Sequence, residues 1–446
     1  MFFILKFEWR RIYTNKRDLS IFFLITLISL YFVYSGIAEY KRYQVEKEVF
    51  KDYEKSKVPY FLNYKQYADL GYRILLEPSP LIVFFKNSNI LYNIESNVDI
   101  KELVRIYARF KGKKLFVDRG YFKDFSGFVF LVGSLFMIYM GIIGLKNAEY
   151  LKFNLMFVNF KKLVFWGTLA RLFLLNVFFV ILLLAAFFLV KMQDIHFSRL
   201  AVNHFFHYTL FLIVTLVFFY LAGMLLAVLF KFRKVVFLWM FVFWVVFMFL
   251  VPELSRVFIF NKAGTLPSNE SFSQKQLKAL LAFEHDAQEY FTIYPPPKDA
   301  DIDQIVRKFA RDFLDTVHHF SKSQELNLNS DIKNIVHSYE YISALFPTQF
   351  YYFLAGEISS KGYYGYTDFT DYVIKSQEKF VRYYLNKKFF LKEKKVESFV
   401  KGDENVFKAQ SHLPNAFWPG LTVAVCYCLA MFIIAYFRLK RLLYES

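Results

Sequence analysis

Cysteine is nearly absent from this chain of 446 residues, which holds only Cys426 and Cys428. Positions two apart on a helix point to different faces, so these two thiols suit neither a bridge nor a shared metal. No disulfide framework exists, and cysteine usage is silent about the compartment. The signatures of common catalysts are missing too. There is no G-x-x-x-x-G-K-[ST], so the chain carries no P-loop ATP site of its own. H-E-x-x-H, C-x-x-C and G-x-S-x-G do not occur. No helix-turn-helix, zinc or RNA-binding signature accompanies the net charge of +18. That charge therefore reads as positive-inside bias in a lysine-rich chain rather than as a nucleic-acid footprint.

The most informative absence is of charge. Six long runs contain no Asp, Glu, Lys or Arg: Leu19–Ala38, Phe125–Leu145, Leu172–Val190, Ala201–Phe230, Val235–Pro252 and Ala416–Phe437. Each is close to the ~20 apolar residues that cross a bilayer as a helix. With 56% hydrophobic residues gathered into blocks, folding in water would leave the blocks exposed, so a bilayer is the natural solvent. The first run is longer than the ~7–15-residue core of a signal peptide. It reads as an uncleaved anchor, although Gly36 and Ala38 form a weak small-x-small pattern.

Lysine and arginine set the orientation. Lys6, Arg10, Arg11, Lys16 and Arg17 precede the first run, and Lys146, Lys152, Lys161, Lys162 and Arg171 separate the second from the third. Lys231, Arg233 and Lys234 join the fourth to the fifth, and Arg438, Lys440 and Arg441 follow the last. The one short loop on the other side has only Lys191 and Arg199. Both termini are expected in the cytoplasm, and the long charged segments 39–124 and 253–415 outside.

The expected fold is an all-α membrane protein with an N-terminal amphipathic elbow helix (1–18) and two mostly helical extracytoplasmic segments. Six transmembrane helices are placed at 19–38, 125–145, 172–190, 206–230, 235–252 and 416–437. A cytoplasmic coupling segment (146–171) and a cytoplasmic tail (438–446) complete the division. In the elbow, Phe2, Leu5, Trp9, Ile12 and Tyr13 share a face, as in an interfacial helix. The alternative is a plain extension of the first span. Segment 146–171 sets Glu149, Lys152 and Asn154 among Leu151, Phe153, Leu155, Met156, Phe157 and Phe160. An apolar helix there wants a partner groove or the membrane surface.

Outside, a helix over 40–55 continues the first span, the Glu77–Pro80 stretch breaks it off, and a compact region reaches Gly112. In the longer segment, Ser273–Gln276 has a capping-box pattern. Ile302, Ile305, Val306, Phe309, Phe313 and Val317 recur at helical spacing, as do Ile332, Ile335, Val336, Tyr339 and Ile342. Pro295–Pro297 is a stiff break. The two segments are expected to pack on each other.

Candidate chemistry is thin. His204 and His207 are three apart without an acidic or cysteine partner, so they read as packed or interfacial. Glu284, Asp286 and Glu289 read as a solvated helix face, and His318 and His319 as solvated. No catalytic, cofactor or metal residue is assigned. Ion-coupled carriers place ionisable groups inside the membrane. Runs without them point to energy supplied from elsewhere and to an apolar, amphipathic or large cargo.

The basic stretch Phe7–Arg17 (FEWRRIYTNKR), six spans and the Gly144–Glu149 stretch (GLKNAE) resemble the type-2 ABC exporter permeases. Tyr67–Leu75, Pro78–Leu81, Ala344–Pro347, Phe353–Gly356 and Phe369 are similar to the subgroup of gliding-motility and nitrous-oxide-cluster permeases with large exoloops. The chain departs from that pattern where Tyr150–Phe153 replaces the usual Gly-Thr and no proline precedes the third span.

The resemblance implies a multi-pass permease subunit of a bacterial inner membrane. It binds no cofactor directly and has no catalytic site of its own. ATP is used by two copies of a cytoplasmic ABC ATP-binding subunit, and a second permease copy and membrane lipids complete the assembly. Coupling to the ATPase then falls to Glu8, Arg10, Arg11, Glu149, Lys152, Asn154 and Phe157. The alternative is an ATPase-coupled scaffold or sensor that transmits force through its outer segments without transport. A membrane-embedded lipid enzyme would need polar residues converging at one membrane face, which the sequence does not offer.

Overall fold

The computed structural model describes residues 6, 8–10, 14–85, 95–99, 105–106, 124–146, 160–230, 232–263, 302–384, 396–400 and 405–444, with scattered positions between 278 and 295. In chain order the elements are α1 (Lys16–Lys57), α2 (Tyr64–Leu70), β1 (Tyr72–Glu77), β2 (Glu95–Val98), β3 (Arg105–Ile106), α3 (Phe125–Lys146), α4 (Phe160–Lys191) and α5 (Arg199–Leu229). They continue as α6 (Arg233–Val245), α7 (Val251–Ala263), α8 (Ile302–Ala344), α9 (Pro347–Ile358), α10 (Tyr363–Tyr383), β4 (Val406–Lys408) and α11 (Phe417–Tyr444).

The protein is mostly helical, and six helices are long and apolar enough to cross a membrane: α1, α3, α4, α5, the α6–α7 rod and α11. Each contains one of the six uncharged runs, to within a residue at the ends of α5 and α11. A helix satisfies its own backbone, which is what hydrocarbon demands. Local sequence sets the ends. Asn15 caps α1 by accepting from the Arg17 N–H, and Ser198 caps α5 by accepting from the Ala201 N–H at 3.1 Å, each satisfying an otherwise orphaned donor. Between α6 and α7 the rod passes through a π-helical turn, Val246–Leu250. Pro252 follows directly; it lacks an N–H and would crowd the carbonyl four residues back, and a widened turn relieves that conflict.

Two helices occupy the middle. The spanning windows of α3 and α5 are 67% and 72% buried, against 33% or less for the other four. Close approach explains the pairing. A Cβ on Gly141 would lie 2.1 Å from the Tyr220 carbonyl oxygen, and one on Gly223 would lie 2.2 Å from that of Ile138. Glycine at both places lets the two backbones touch, which is how apolar helices gain packing where no hydrophobic drive separates protein from lipid.

The two insertions between spans form one unit. Its sheet has the order β3-β2-β1-β4. β1 pairs antiparallel with β2 (Tyr72 opposite Val98) and parallel with β4 (Leu75 opposite Val406). Gly71 starts β1 with φ +63°, a conformation that costs glycine least, and its Cα faces the Val98 carbonyl too closely for any side chain. Tyr67, Tyr72, Ile74 and Val98 from the first insertion share a core with Phe369, Val373, Phe380 and Tyr384 from the second. The expected packing of one segment on the other is thus present. The expectation of an all-α chain with mostly helical inserted segments is corrected only by the small mixed sheet they carry.

Two pieces of the insertions are also rooted in the helix bundle. The turn Pro80–Val83 and the following Phe84 and Phe85 join the bundle core beside Phe125, Phe205 and Tyr208. α9 is buried at every one of its 12 residues. Beyond the apolar run, α1 continues unbroken to Lys57, in line with the helix expected over 40–55. The Ile332–Ile342 stripe lies in α8, with Ile332, Val336 and Tyr339 buried.

Candidate functional site

Three polar knots hold these parts together, one at the end where the chain begins and two at the end that carries the insertions. At the first, Glu8 is 1% exposed and pairs with Arg171 of α4, Nη2 to Oε1 at 2.8 Å. The guanidinium fills the space over Gly144 of α3, where a Cβ would lie 2.3 Å from Nη1 and 3.4 Å from the Tyr220 hydroxyl of α5. One arginine therefore gathers the N-terminal stretch, both central helices and α4. Nearby, the Arg17 guanidinium sits 5.6 Å from the Tyr139 ring centroid of α3, a cation–π contact. Removing a charge from a buried pair strands the other, so this knot is held far more firmly than a surface ion pair.

Glu8, which the resemblance assigns to ATPase coupling, is buried in the bundle. Arg10 is exposed, and its carbonyl accepts from the Thr14 hydroxyl at 2.8 Å. Trp9 is exposed. Lys6, Glu8–Arg10 and Thr14 are helical, whereas Arg11, Glu149, Lys152, Asn154 and Phe157 lie outside the described residues, as does the Ser273–Gln276 capping pattern. Arg171 was not singled out from the sequence. It stands one residue before the third uncharged run, and its partner lies 163 positions away. The helix around it begins at Phe160, inside the expected coupling segment.

Where the insertions meet the bundle, three hydroxyls come together. Ser126 of α3 and Tyr208 of α5 are 3.0 Å apart, and Tyr351 of α9 lies 2.7 Å from the Ser126 hydroxyl and 2.5 Å from the Tyr208 hydroxyl. The Tyr351 hydroxyl also reaches the Ser126 carbonyl at 3.0 Å. All three side chains are buried, and a closed ring of hydroxyls meets its own hydrogen-bonding needs. It fixes α9 against the two central helices. Lower in the bundle, the Trp244 indole N–H donates to Ser134 at 3.0 Å and ties α6 to α3.

At the insertion end, two fully buried carboxylates each hold the start of a helix. Glu357, at the end of α9, accepts from the Tyr363 N–H at 2.7 Å and the Tyr364 N–H at 3.1 Å in the first turn of α10. Glu340 of α8 accepts from the Ala416 N–H just before α11 and from the Tyr364 hydroxyl. Orphan N–H groups and the positive end of the helix dipole suit carboxylates at both places. Burial nevertheless pushes the Glu357 carboxyl up to about 7, against the two N–H bonds and the His412 charge that favour its ionised form. His412 pairs with Asp368 of α10 at 2.8 Å, and that hydrogen bond raises its pKa while burial opposes. The His412 N–H donates to the Glu357 carbonyl at 3.1 Å. The last helix is thereby latched to α8, α9 and α10.

The two histidines of α5 go separate ways. His204 is buried, with Nδ1 2.8 Å from the Ser411 hydroxyl, whereas His207 is half-buried, with Nδ1 on the Asn203 carbonyl and its ring against Phe417 and Trp418. No group of three His, Cys, Asp or Glu able to hold a metal occurs among the described residues. Cys426 is exposed and Cys428 buried, on different faces as expected. Asp286, Glu289 and His319 are exposed, in keeping with solvated faces. Each knot joins three or more elements through short, buried polar contacts. Comparison with protein-family models, with curated proteins and with solved structures finds no match to this chain.

Proposed function

We propose that this chain is the membrane-spanning permease subunit of an ATP-driven transporter of the type-2 ABC exporter kind. In this reading, a separate cytoplasmic ATP-binding subunit, present in two copies, works on the face that carries the termini. A second permease copy completes the path, and the cargo is apolar, amphipathic or large. The observation that carries it is the buried Glu8–Arg171 knot. A push on the N-terminal stretch or on the start of α4 has a direct route through Arg171 to Gly144 and Tyr220, on the two central helices. The hydroxyl ring and the two carboxylate latches continue that route to the insertion unit. The basic residues on the short loops of the terminal face support a cytoplasmic placement for that face.

The test is isolation of the chain from its native membrane in mild detergent. A co-purifying P-loop ATPase, with hydrolysis reduced by Arg171→Ala, is the expected result. An intact complex with no ATPase would overturn the reading. A second reading has its own support: α9 and the Pro80–Phe85 stretch fill the insertion end of the single-chain bundle. A filled end favours a device that moves its outer unit without passing cargo. Reconstituted vesicles separate the two, since ATP hydrolysis without flux of any lipid or peptide cargo favours the second.

A further inference from the structure

A cavity of about 470 Å³ lies where α1 passes from its uncharged run to its charged continuation. That size falls within the ~300–1,000 Å³ range of ligand sites. Its walls are of two kinds. Gly36 and Ala38 of α1, with Pro78 just after β1 and Ile82 of the rooted turn, give an apolar side. Glu39, Arg42, Glu46 and Lys361 give a charged side, with Tyr40 and Tyr43 between. The arrangement is braced. A Cβ on Gly36 would lie 2.1 Å from the Val83 carbonyl oxygen, so α1 sits directly on the turn. The Tyr43 hydroxyl donates to the Leu76 carbonyl at 2.8 Å.

Three features narrow the ligand. The charged side has two cations and two carboxylates set in opposite pairs, Arg42 with Glu46 at 2.8 Å and Lys361 with the field of Glu39, a pattern matched by a group that carries both signs. Burial lowers the Lys361 ammonium to about 8, with Glu39 opposing the shift, and an anion brought beside it would recover part of that cost. Finally, Ala38 shares a helix face with Tyr34, Tyr31 and Leu27, at spacings of four, seven and eleven, and all four are exposed. The cavity therefore opens at its apolar edge onto an uncovered apolar stripe that runs down the spanning part of α1.

We propose that this cavity binds the headgroup of a zwitterionic, phosphate-bearing membrane lipid of the phosphoethanolamine type, with its acyl chains along the Leu27–Ala38 stripe. Arg42 and Lys361 face the phosphate, and Glu39 and Glu46 face the amine. Opposite charges on both partners give selectivity against a purely anionic headgroup, for which the carboxylates are repulsive. The site does not depend on the chain working with an ATPase, so its test stands apart from that proposal.

The experiment is native mass spectrometry of the full chain in detergent, titrated with short-chain phosphatidylethanolamine, phosphatidylglycerol, free phosphoethanolamine and inorganic phosphate. Saturable binding of phosphatidylethanolamine, at least tenfold tighter than phosphatidylglycerol, is expected. Lys361→Gln should weaken it by about tenfold, the loss of one charge-assisted contact. Arg42→Gln, at a side chain 79% exposed, tests the same point without disturbing buried structure, and Ala38→Trp should block the junction of cavity and stripe. Arg382→Gln, far along α10, should leave binding unchanged. Equal affinity for phosphatidylglycerol would overturn the zwitterionic assignment. Binding of phosphoethanolamine or phosphate as tight as the lipid would overturn the role of the stripe, and indifference to Lys361→Gln and Arg42→Gln would overturn the site.

Discussion

α3 and α5 are buried along 67% and 72% of their spanning windows, whereas α6 and α11 reach only 22% each. Apolarity does not separate them, because all six helices are uncharged through their runs. What separates them is where their small and hydroxylated residues sit, not how many they have, since α1 carries Ser20, Thr26, Ser29, Ser35 and Gly36. α3 brings Ser126, Ser134, Gly141 and Gly144, and α5 brings Tyr208, Thr215, Tyr220 and Gly223, all placed against neighbouring helices or their polar groups. Among the outer helices, α11 turns Trp418, Leu429 and Phe437 outward and α1 turns Phe23, Leu27 and Tyr31 outward. In a lipid-like solvent, an inner helix is recognised by what lets backbones and hydroxyls meet, not by how greasy it is.

The sharpest test strikes an outer helix at a buried ion pair. Arg171→Ala should cost about 3–5 kcal/mol by stranding the buried Glu8 carboxylate, read as a fall in the thermal midpoint in detergent and faster proteolysis of the N-terminal stretch. The pair Glu8→Gln with Arg171→Met should recover most of the loss. If Arg171→Ala is silent, outer helices need no such ties and the contrast fails.

Next in size is Gly223→Ala, which should cost about 1–3 kcal/mol because the α3 backbone must move aside. Unfolding of the purified variant measures it.

The insertion end should differ from the bundle in its response to pH. Between pH 4.5 and 7 the folded chain keeps a proton on Glu357 that the unfolded chain has released. Stability should therefore fall as pH rises across that window, by up to about 1.4 kcal/mol per unit. His412 acts in the same direction, since its raised pKa gives stability that is lost as pH climbs through it. Glu357→Gln should flatten the profile, and an unchanged slope would remove Glu357 from the account.

Tyr351→Phe should cost about 1 kcal/mol by opening the hydroxyl ring, and a double-mutant cycle with Tyr208→Phe should show coupling. The smallest effect belongs to Gly167 of α4, where an added Cβ meets nothing within 4 Å. Gly167→Ala should stabilise the chain by roughly 0.5–1 kcal/mol, opposite in sign to Gly223→Ala in the same assay.

The spans were legible because hydrocarbon imposes one rule on every residue of a run, so local composition suffices. The Ile332–Ile342 stripe and the continuation of α1 were legible for the related reason that helical periodicity is local. The sheet was not. Tyr72–Glu77 is a short apolar stretch whose period does not tell strand from helix, and its parallel partner Val406–Lys408 lies at the other end of the sequence. Glu8, Arg171, Glu340 and Glu357 were illegible as knots for the same cause. A charge in sequence looks solvated until the fold supplies its partner, and each of these partners comes from a separate element.

The parallel pairing of Leu75 with Val406 has a consequence for how the molecule is made. Strand β1 is translated early, but the strand that completes its sheet edge emerges only after four more spans have been synthesised. The insertion unit cannot close until nearly all of the chain is in place, and such distant pairings form slowly. Until then β1 presents an unpaired edge open to wrong partners. The order of synthesis thus makes closure of the insertion unit a late checkpoint, reached just ahead of the last helix that the Glu340 latch then secures.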